Sequence, residues 1–229
     1  MKVDAKAGEV FVRRVGKGIV VIPPEEQRKI TSMAAQMEWW LGEYFQRKSD
    51  AESAQAQFEK LGLIQEDAWH IIGPFDNSGN KGFLTEYPPE HEIDFEKSYQ
   101  GLSGEVQWTK AQGGRSKSCV DFASIFGVKE WAATYAYTTV SSEKEKDAQL
   151  RIGSRGSVVV WLNDKPIFRQ SIGRISAPDQ DVIPIKLKAG ENKLLIKSCV
   201  GSATSSIGEI PTGWELSADW CIFARIVEL

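Results

Sequence analysis

Val158-Val159-Val160-Trp161-Leu162-Asn163-Asp164-Lys165-Pro166-Ile167-Phe168-Arg169-Gln170 decides the fold of this chain. Two runs rich in β-branched and aromatic residues flank Asn163-Asp164, residue types that tolerate the positive φ of a tight turn, so the stretch reads as an antiparallel hairpin. Working outward, Ala189-Gly190-Glu191-Asn192 makes a second reversal between strands at Asp181–Leu187 and Lys193–Ser198. Over Asp181–Lys188, Ile183, Ile185 and Leu187 oppose Pro184, Lys186 and Lys188; over Thr134–Val140, Tyr135, Tyr137 and Thr139 oppose Ala136, Thr138 and Val140. Such alternation predicts one buried and one wet face per strand, as in antiparallel sheets packed into a sandwich.

The same punctuation by Gly, Asn, Asp and Pro runs from residue 66 to the end, with further strands expected at Trp69–Ile72, Ile93–Phe95, Val106–Lys110, Cys119–Ile125, Gln149–Ile152 and Trp220–Val227. Upstream the pattern differs. Glu9–Val12 and Ile19–Ile22 around Gly16-Lys17-Gly18 predict a β-hairpin, which Pro23-Pro24 stops. Glu25-Glu26 then favour a helix start, and Ile30, Met33, Ala34, Met37, Leu41, Tyr44 and Phe45 recur at helical spacing to about residue 48. Ser49-Asp50-Ala51-Glu52 has capping-box spacing and opens a second helix, with Ala54, Phe58 and Leu61 inward and Gly62 as C-cap. The fold class expected is mainly β: an antiparallel β-sandwich over 66–229, preceded over 1–65 by a β-hairpin and an α-helical hairpin.

Composition narrows the function classes. In 229 residues, 41% are hydrophobic, enough for a sizeable core, and 28 basic against 31 acidic side chains leave a net charge of -3. No global positive field draws the chain to nucleic acid. No apolar run approaches the roughly 20 residues of a bilayer span, and Met1–Lys6 contains no signal-peptide core, which leaves localisation open. Three cysteines without a CxxC pair, Cys119, Cys199 and Cys221, predict packed thiols, and two histidines make histidine chemistry sparse.

Two passages carry a resemblance. Trp69-His70-Ile71-Ile72-Gly73-Pro74-Phe75-Asp76-Asn77, with Gly82-Phe83, Tyr87-Pro88-Pro89-Glu90, Ile93-Asp94, Tyr99, Gly101 and Trp108, resembles the opening of galactose-binding-domain-like β-sandwich modules of large multidomain bacterial proteins. Leu150-Arg151-Ile152-Gly153-Ser154, Val158–Asp164 and Leu187–Lys197 together are similar to the signature of sugar-binding jelly-roll domains attached to glycoside hydrolases, with Asn-Asp where that signature prefers Asn-Gly. Leu41-Gly42, Phe45, Ala54 and Phe58 fall at tetratricopeptide spacing, so the helical hairpin resembles a single or terminal repeat; Glu38 and Glu66 stand where the consensus has Trp and Pro. The resemblance implies a jelly-roll, carbohydrate-binding-like accessory module, with a glycan as ligand and a protein partner for the N-terminal helices.

Site candidates follow from the residues themselves. Sugars bind by stacking C–H faces on aromatic planes while polar loop groups take the hydroxyls. Among the eight tryptophans, Trp69, Trp108, Trp161 and Trp220 lie in strand patterns and read as core, Trp39-Trp40 as a helix–sandwich seam, and Trp131 and Trp214 fall in loops as the stacking candidates. Asp76, Asn77, Ser78 and Asn80 surround Gly79 with oxygen side chains, which either form an Asx turn or hold a structural calcium ion; no other cofactor is expected. Glu86, Glu90, Glu92 and Asp94 could be drafted as a glycosidase pair, but acidic residues are ordinary in surface loops. Gly113–Ser118 lacks P-loop spacing and Gly153-Ser154-Arg155-Gly156 is no nucleophile elbow. The expectation is therefore a binding module rather than an enzyme, the alternative being a structural or protein-interaction module without a sugar site.

Overall fold

The structure, a computed structural model, describes residues 12–15, 18–21, 24–114, 117–201 and 220–228. A β-hairpin, β1 (Val12–Val15) and β2 (Gly18–Val21), precedes two helices, α1 (Pro24–Arg47) and α2 (Ala51–Leu61). Then come β3 (His70–Asp76), β4 (Ser98–Gln100), β5 (Glu105–Gln107), β6 (Thr109–Lys110), β7 (Val120–Asp121) and the short α3 (Phe122–Phe126). The chain continues with β8 (Ala132–Ser142), β9 (Lys146–Ser154), β10 (Ser157–Leu162), β11 (Lys165–Gln170), β12 (Asp181–Leu187), β13 (Gly190–Val200) and β14 (Cys221–Glu228). A six-stranded sheet, β11-β10-β13-β8-β3-β6, faces a four-stranded one, β12-β9-β14-β7, and all pairings are antiparallel. The chain is a mainly β, antiparallel sandwich with an N-terminal helical pair.

Between the sheets lies one apolar core, in which Val158, Val160, Leu194, Ile196 and Ala136 meet Leu150, Ile152, Ile183, Ile185 and Ile222. The turn that decided the sequence reading is present: Asn163 and Asp164 both adopt left-handed φ, 52° and 65°, between β10 and β11. Edge strand β12 shows the expected alternation of buried Ile183, Ile185 and Leu187 with exposed Pro184 and Lys186. For β8 the expectation of a wet face is corrected, because residues 132–138 are buried on both sides. The reason is that each sheet carries a second cover: an irregular strap, residues 77–108, packs Phe83, Tyr87, Ile93 and Tyr99 on the outer face of the six-stranded sheet, and the helices cover the four-stranded one.

Local corrections follow the same logic. Ile93–Phe95 belongs to the strap and forms no strand. Cys119–Ile125 is strand only at β7, since Asp121 accepts the Ser124 N–H at 3.1 Å and caps α3. Helix α2 is capped by Asp50, which accepts from the Ser53 N–H at 3.1 Å, rather than by Ser49; Gly62 closes it in the left-handed conformation, φ 66°.

At the helical seam Ala35, Leu61 and Leu63 join Cys119, Cys221 and Phe223, with Trp39 edge-on to Phe223 at 5.2 Å. Trp39 also donates from Nε1 to Ser118 Oγ at 3.2 Å, whereas its neighbour Trp40 is exposed. The Ile64 N–H donates to the Ala224 carbonyl at 2.8 Å, so the linker itself pairs with β14. Gly42 is required where α1 meets α2: a Cβ there would lie 2.4 Å from the Phe58 ring.

All three cysteines are buried and free. A hydrogen bond to Cys221, then burial, raises the Cys119 thiol well above its ordinary value, and burial pushes Cys199 up to about 12. Because all three thiols are buried away from reagent and the thiolate is the reactive form that Cys119 and Cys199 disfavour, alkylation at mildly alkaline pH is expected to leave all three unmodified until denaturant is added; stoichiometric labelling of the native chain would contradict this packing.

Candidate functional site

The strap begins where β3 ends. Within β3 the register slips between Ile72 and Phe75, where Gly73 takes φ 139° against Thr134 of β8, and pairing resumes at Phe75 and Asp76. Asp76 Oδ1 accepts from the Ser78 N–H at 2.9 Å, forming an Asx turn, and Gly79 and Asn80 follow in left-handed conformation. Asn77 is buried and bonded at both ends of its amide: Nδ2 donates to the Val200 carbonyl at 2.9 Å, and Oδ1 accepts from the Phe83 N–H at 3.2 Å. Asp76 and Asn77 thus brace the turn that gathers the oxygens considered for calcium. Among the described residues no group of three or more His, Cys, Asp or Glu side chains is placed to hold a metal ion.

Trp131 lies at this same end of the sandwich. Its carbonyl accepts the Asn77 N–H at 2.7 Å, its own N–H donates to the Gly201 carbonyl at 3.2 Å, and its φ is 50°. The half-buried ring rests beside Gly201. Trp214, its sequence companion, lies outside the described residues.

Farther along, the strap is fastened by a buried ion pair. Lys197 on β13 is 1% exposed, Glu90 8%, and the ammonium reaches the carboxylate at 2.7 Å and the Thr85 carbonyl at 2.6 Å. The Tyr135 hydroxyl donates to Glu90 Oε1 at 2.5 Å, and the ammonium also sits 5.4 Å from the Tyr87 ring and 5.6 Å from that of Tyr135. Burial above all, reinforced by the Glu90 charge, raises the Tyr135 phenol so that it stays a donor. Pro88-Pro89 sets the turn that aims Glu90 down at the sheet.

Beside this pair lies a cavity of about 300 Å³. Tyr137 of β8, Trp161 of β10 and Leu195 of β13 form its floor; Pro89, His91, Glu92 and Ile93 of the strap form one wall with Glu90. Asp164 and Lys193 close the other side, 3.5 Å apart. Their positions trace back to the sequence motifs: Asn163 Nδ2 donates to Asn192 Oδ1 at 2.9 Å and Asn163 Oδ1 accepts the Lys193 N–H at 3.1 Å, bolting the β10–β11 turn to β13. Burial, then the charges of Glu191 and Asp164, raises the Tyr137 phenol, which keeps it protonated at the floor.

Of the site residues expected from sequence, Trp131 and the Asp76–Asn80 turn come together, but at the opposite end of β8 from this cavity, about 20 Å away at strand rise. Trp161, read as core, is nearly buried and yet lines the cavity with its remaining surface. Glu90 and Glu92 of the acidic cluster reach it, whereas Glu86 pairs with His91 at 3.6 Å and Asp94 with Lys97 at 3.1 Å outside it. Tyr137, Asp164 and Lys193 were not singled out as site residues, because nothing in strand alternation tells that a strap will leave a gap above them.

No family model matches the sequence, and no curated protein matches it. Among solved structures the chain is similar to beta-glucosidase from Kluyveromyces marxianus in complex with glucose, at 14% identity and TM-score 0.40 over 70% of this chain and 16% of that one. It is similar as well to beta-galacturonidase from Eisenbergiella tayi bound to galacturonate, at 9% identity and TM-score 0.40 over 71% and 24%. An anti-sigma factor domain-containing protein matches at 15% identity and TM-score 0.34 over 56% and 42%. The chain thus spans less than half the length of these proteins, and likenesses of this degree carry no argument; the sandwich stands on its own strand pairing.

Proposed function

We propose that the chain is a non-catalytic carbohydrate-binding-like module whose ligand seat is the cavity between the strap and Trp161. The observation that carries this reading is an aromatic floor, Tyr137 and Trp161, ringed by hydrogen-bonding groups of Glu92, His91, Asp164 and Lys193. A sugar ring presents the matching surfaces, a C–H face and a rim of hydroxyls. About 300 Å³ is at the lower end for ligand pockets and suits a single sugar residue. Binding without hydrolysis is supported by the pairing of each carboxylate with an ammonium: Glu90 with Lys197 at 2.7 Å, Glu92 with Lys97 at 2.7 Å and Asp164 with Lys193 at 3.5 Å. An ammonium at each carboxylate occupies an oxygen that a glycosidase acid or nucleophile would have to turn to the scissile bond.

Calorimetric titration with a panel of mono- and oligosaccharides tests the seat. Asp164→Asn, which tolerates the left-handed turn, and Glu92→Gln are expected to weaken a bound saccharide by about tenfold each with unchanged melting temperature, the loss of one charge-assisted hydrogen bond. Trp131→Asn is expected to leave affinity unchanged. Failure of every saccharide to bind at millimolar concentration refutes the reading, and loss of binding in Trp131→Asn alone moves the seat to the other end of β8. A second reading rests on a different observation, the apolar side chains that α1 turns to solvent, and makes the helical hairpin a protein-docking surface.

A further inference from the structure

Helix α1 carries two apolar faces. Ala35 and Trp39 dock on the four-stranded sheet and Gly42 on Phe58 of α2. About half a turn round the helix, Met33, Met37, Trp40, Leu41 and Tyr44 are 63%, 71%, 57%, 41% and 53% exposed. The steps from Met33 to Met37, Trp40 and Tyr44 are four, three and four residues, and the sequence continues them back by three to Ile30. That is the a/d rhythm of a helix seam, whose natural occupant is another helix with the same rhythm crossing at about 20°. An amphipathic surface helix needs only the one face that meets its own core.

We propose that this stripe seats the α1 stripe of a second copy of the chain, antiparallel about a two-fold axis at Met37. Charge placement selects this occupant and this direction. The sequence puts Glu25 and Glu26 in the first turn of α1 and Arg47 and Lys48 at its end. With Met37 on the axis, position 26 of one copy falls level with position 48 of the other, so acid meets base at both ends; a parallel pair would set like against like. Lys48 already lies at the stripe's edge, its ammonium 5.8 Å from the Tyr44 ring. A stripe on the order of 600 Å² per copy puts about 1,200 Å² into a symmetric pair, the lower bound for a specific interface. The contact is isologous and closes on itself, leaving the sugar seat on the opposite sheet open in both copies.

Sedimentation equilibrium of the full chain through the micromolar range is expected to show a dimer. M37E/W40E is expected to be monomeric with unchanged circular dichroism and melting. Lys48→Glu should weaken dimerisation by about tenfold, and adding Glu26→Lys should restore it, a series that decides the matter even where M37E/W40E misfolds. A wild-type chain that is monomeric throughout hands the stripe to a different partner helix and overturns the proposal. So does dimerisation unaffected by M37E/W40E, a Lys48→Glu chain that associates as well as wild type, or a charge reversal that fails to restore.

Discussion

Asp179→Asn is expected to destabilise the chain by about 3–5 kcal/mol, a large part of the 5–15 kcal/mol that holds an ordinary domain together. The register of β9 and β14 sets Arg151 directly opposite Arg225, two like charges that repel across an antiparallel pair. Asp179, buried and supplied by the segment before β12, resolves this by accepting from Arg225 Nε at 2.8 Å and from Arg151 Nη1 at 3.0 Å. Arg225 Nη1 in turn donates to the Leu61 carbonyl at the end of α2, at 3.0 Å, so the cluster also ties the helices to the sheet. Asparagine keeps the left-handed backbone, φ 58°, and the shape of the side chain, so the substitution removes the charge and little else. Urea unfolding reads the loss, and Arg151→Gln on the Asp179→Asn background should recover part of it by relieving the repulsion. A loss under about 1 kcal/mol would show that the guanidiniums are hydrated in solution and that the cluster contributes little.

Lys197→Met should cost about as much, on the order of 3–5 kcal/mol, because among the described residues it leaves the Glu90 carboxylate under the strap with only the Tyr135 hydroxyl as partner. The consequence reaches the sugar seat. Glu90 is both the anchor of the Pro88–Glu90 turn and a wall of the cavity, so loosening it should open the strap and speed tryptic cleavage after Lys81 and Lys97. Lys197→Met combined with Glu90→Gln is expected to regain most of the stability, since a neutral pair of similar volume carries no unpaired charge. A double-mutant cycle measures this directly; simple additivity of the two losses would mean that the groups act independently and that the strap is held by Phe83 and Tyr87 packing alone.

Much of the architecture was legible from side-chain chemistry that acts over a few residues. Asn163-Asp164 specified its turn because those residues tolerate positive φ, and Gly62 closed α2 for the same kind of reason. Ile183, Ile185 and Leu187 marked the buried face of an edge strand, where one side is always wet. The motif Leu150–Ser154 was quoted as a signature, yet only the tertiary structure shows why it reads as it does: Arg151 holds Asp179, and a Cβ on Gly153 would lie 1.6 Å from the Ala177 carbonyl that carries Asp179 past the strand. Likewise the apolar rhythm of α1 was plain in the sequence, but periodicity records that a face is apolar and not what covers it. Here Ala35 and Trp39 took the sheet and Gly42 took α2, the weaker-looking face, which left Met33 to Tyr44 outside.

The candidate seat was the least legible part for a physical reason. Tyr137 and Trp161 alternate into the sheet like any core residue, and their distinction comes from strap residues 89–93, more than 40 positions away along the chain, which leave a gap above them. By itself the sequence determined an antiparallel sandwich with a helical hairpin, because turn chemistry and two-residue alternation are local. The tertiary structure decided which strands are buried on both faces, which charges are paired and where a cavity remains, because burial and pairing are properties of segments that meet only once the chain has folded.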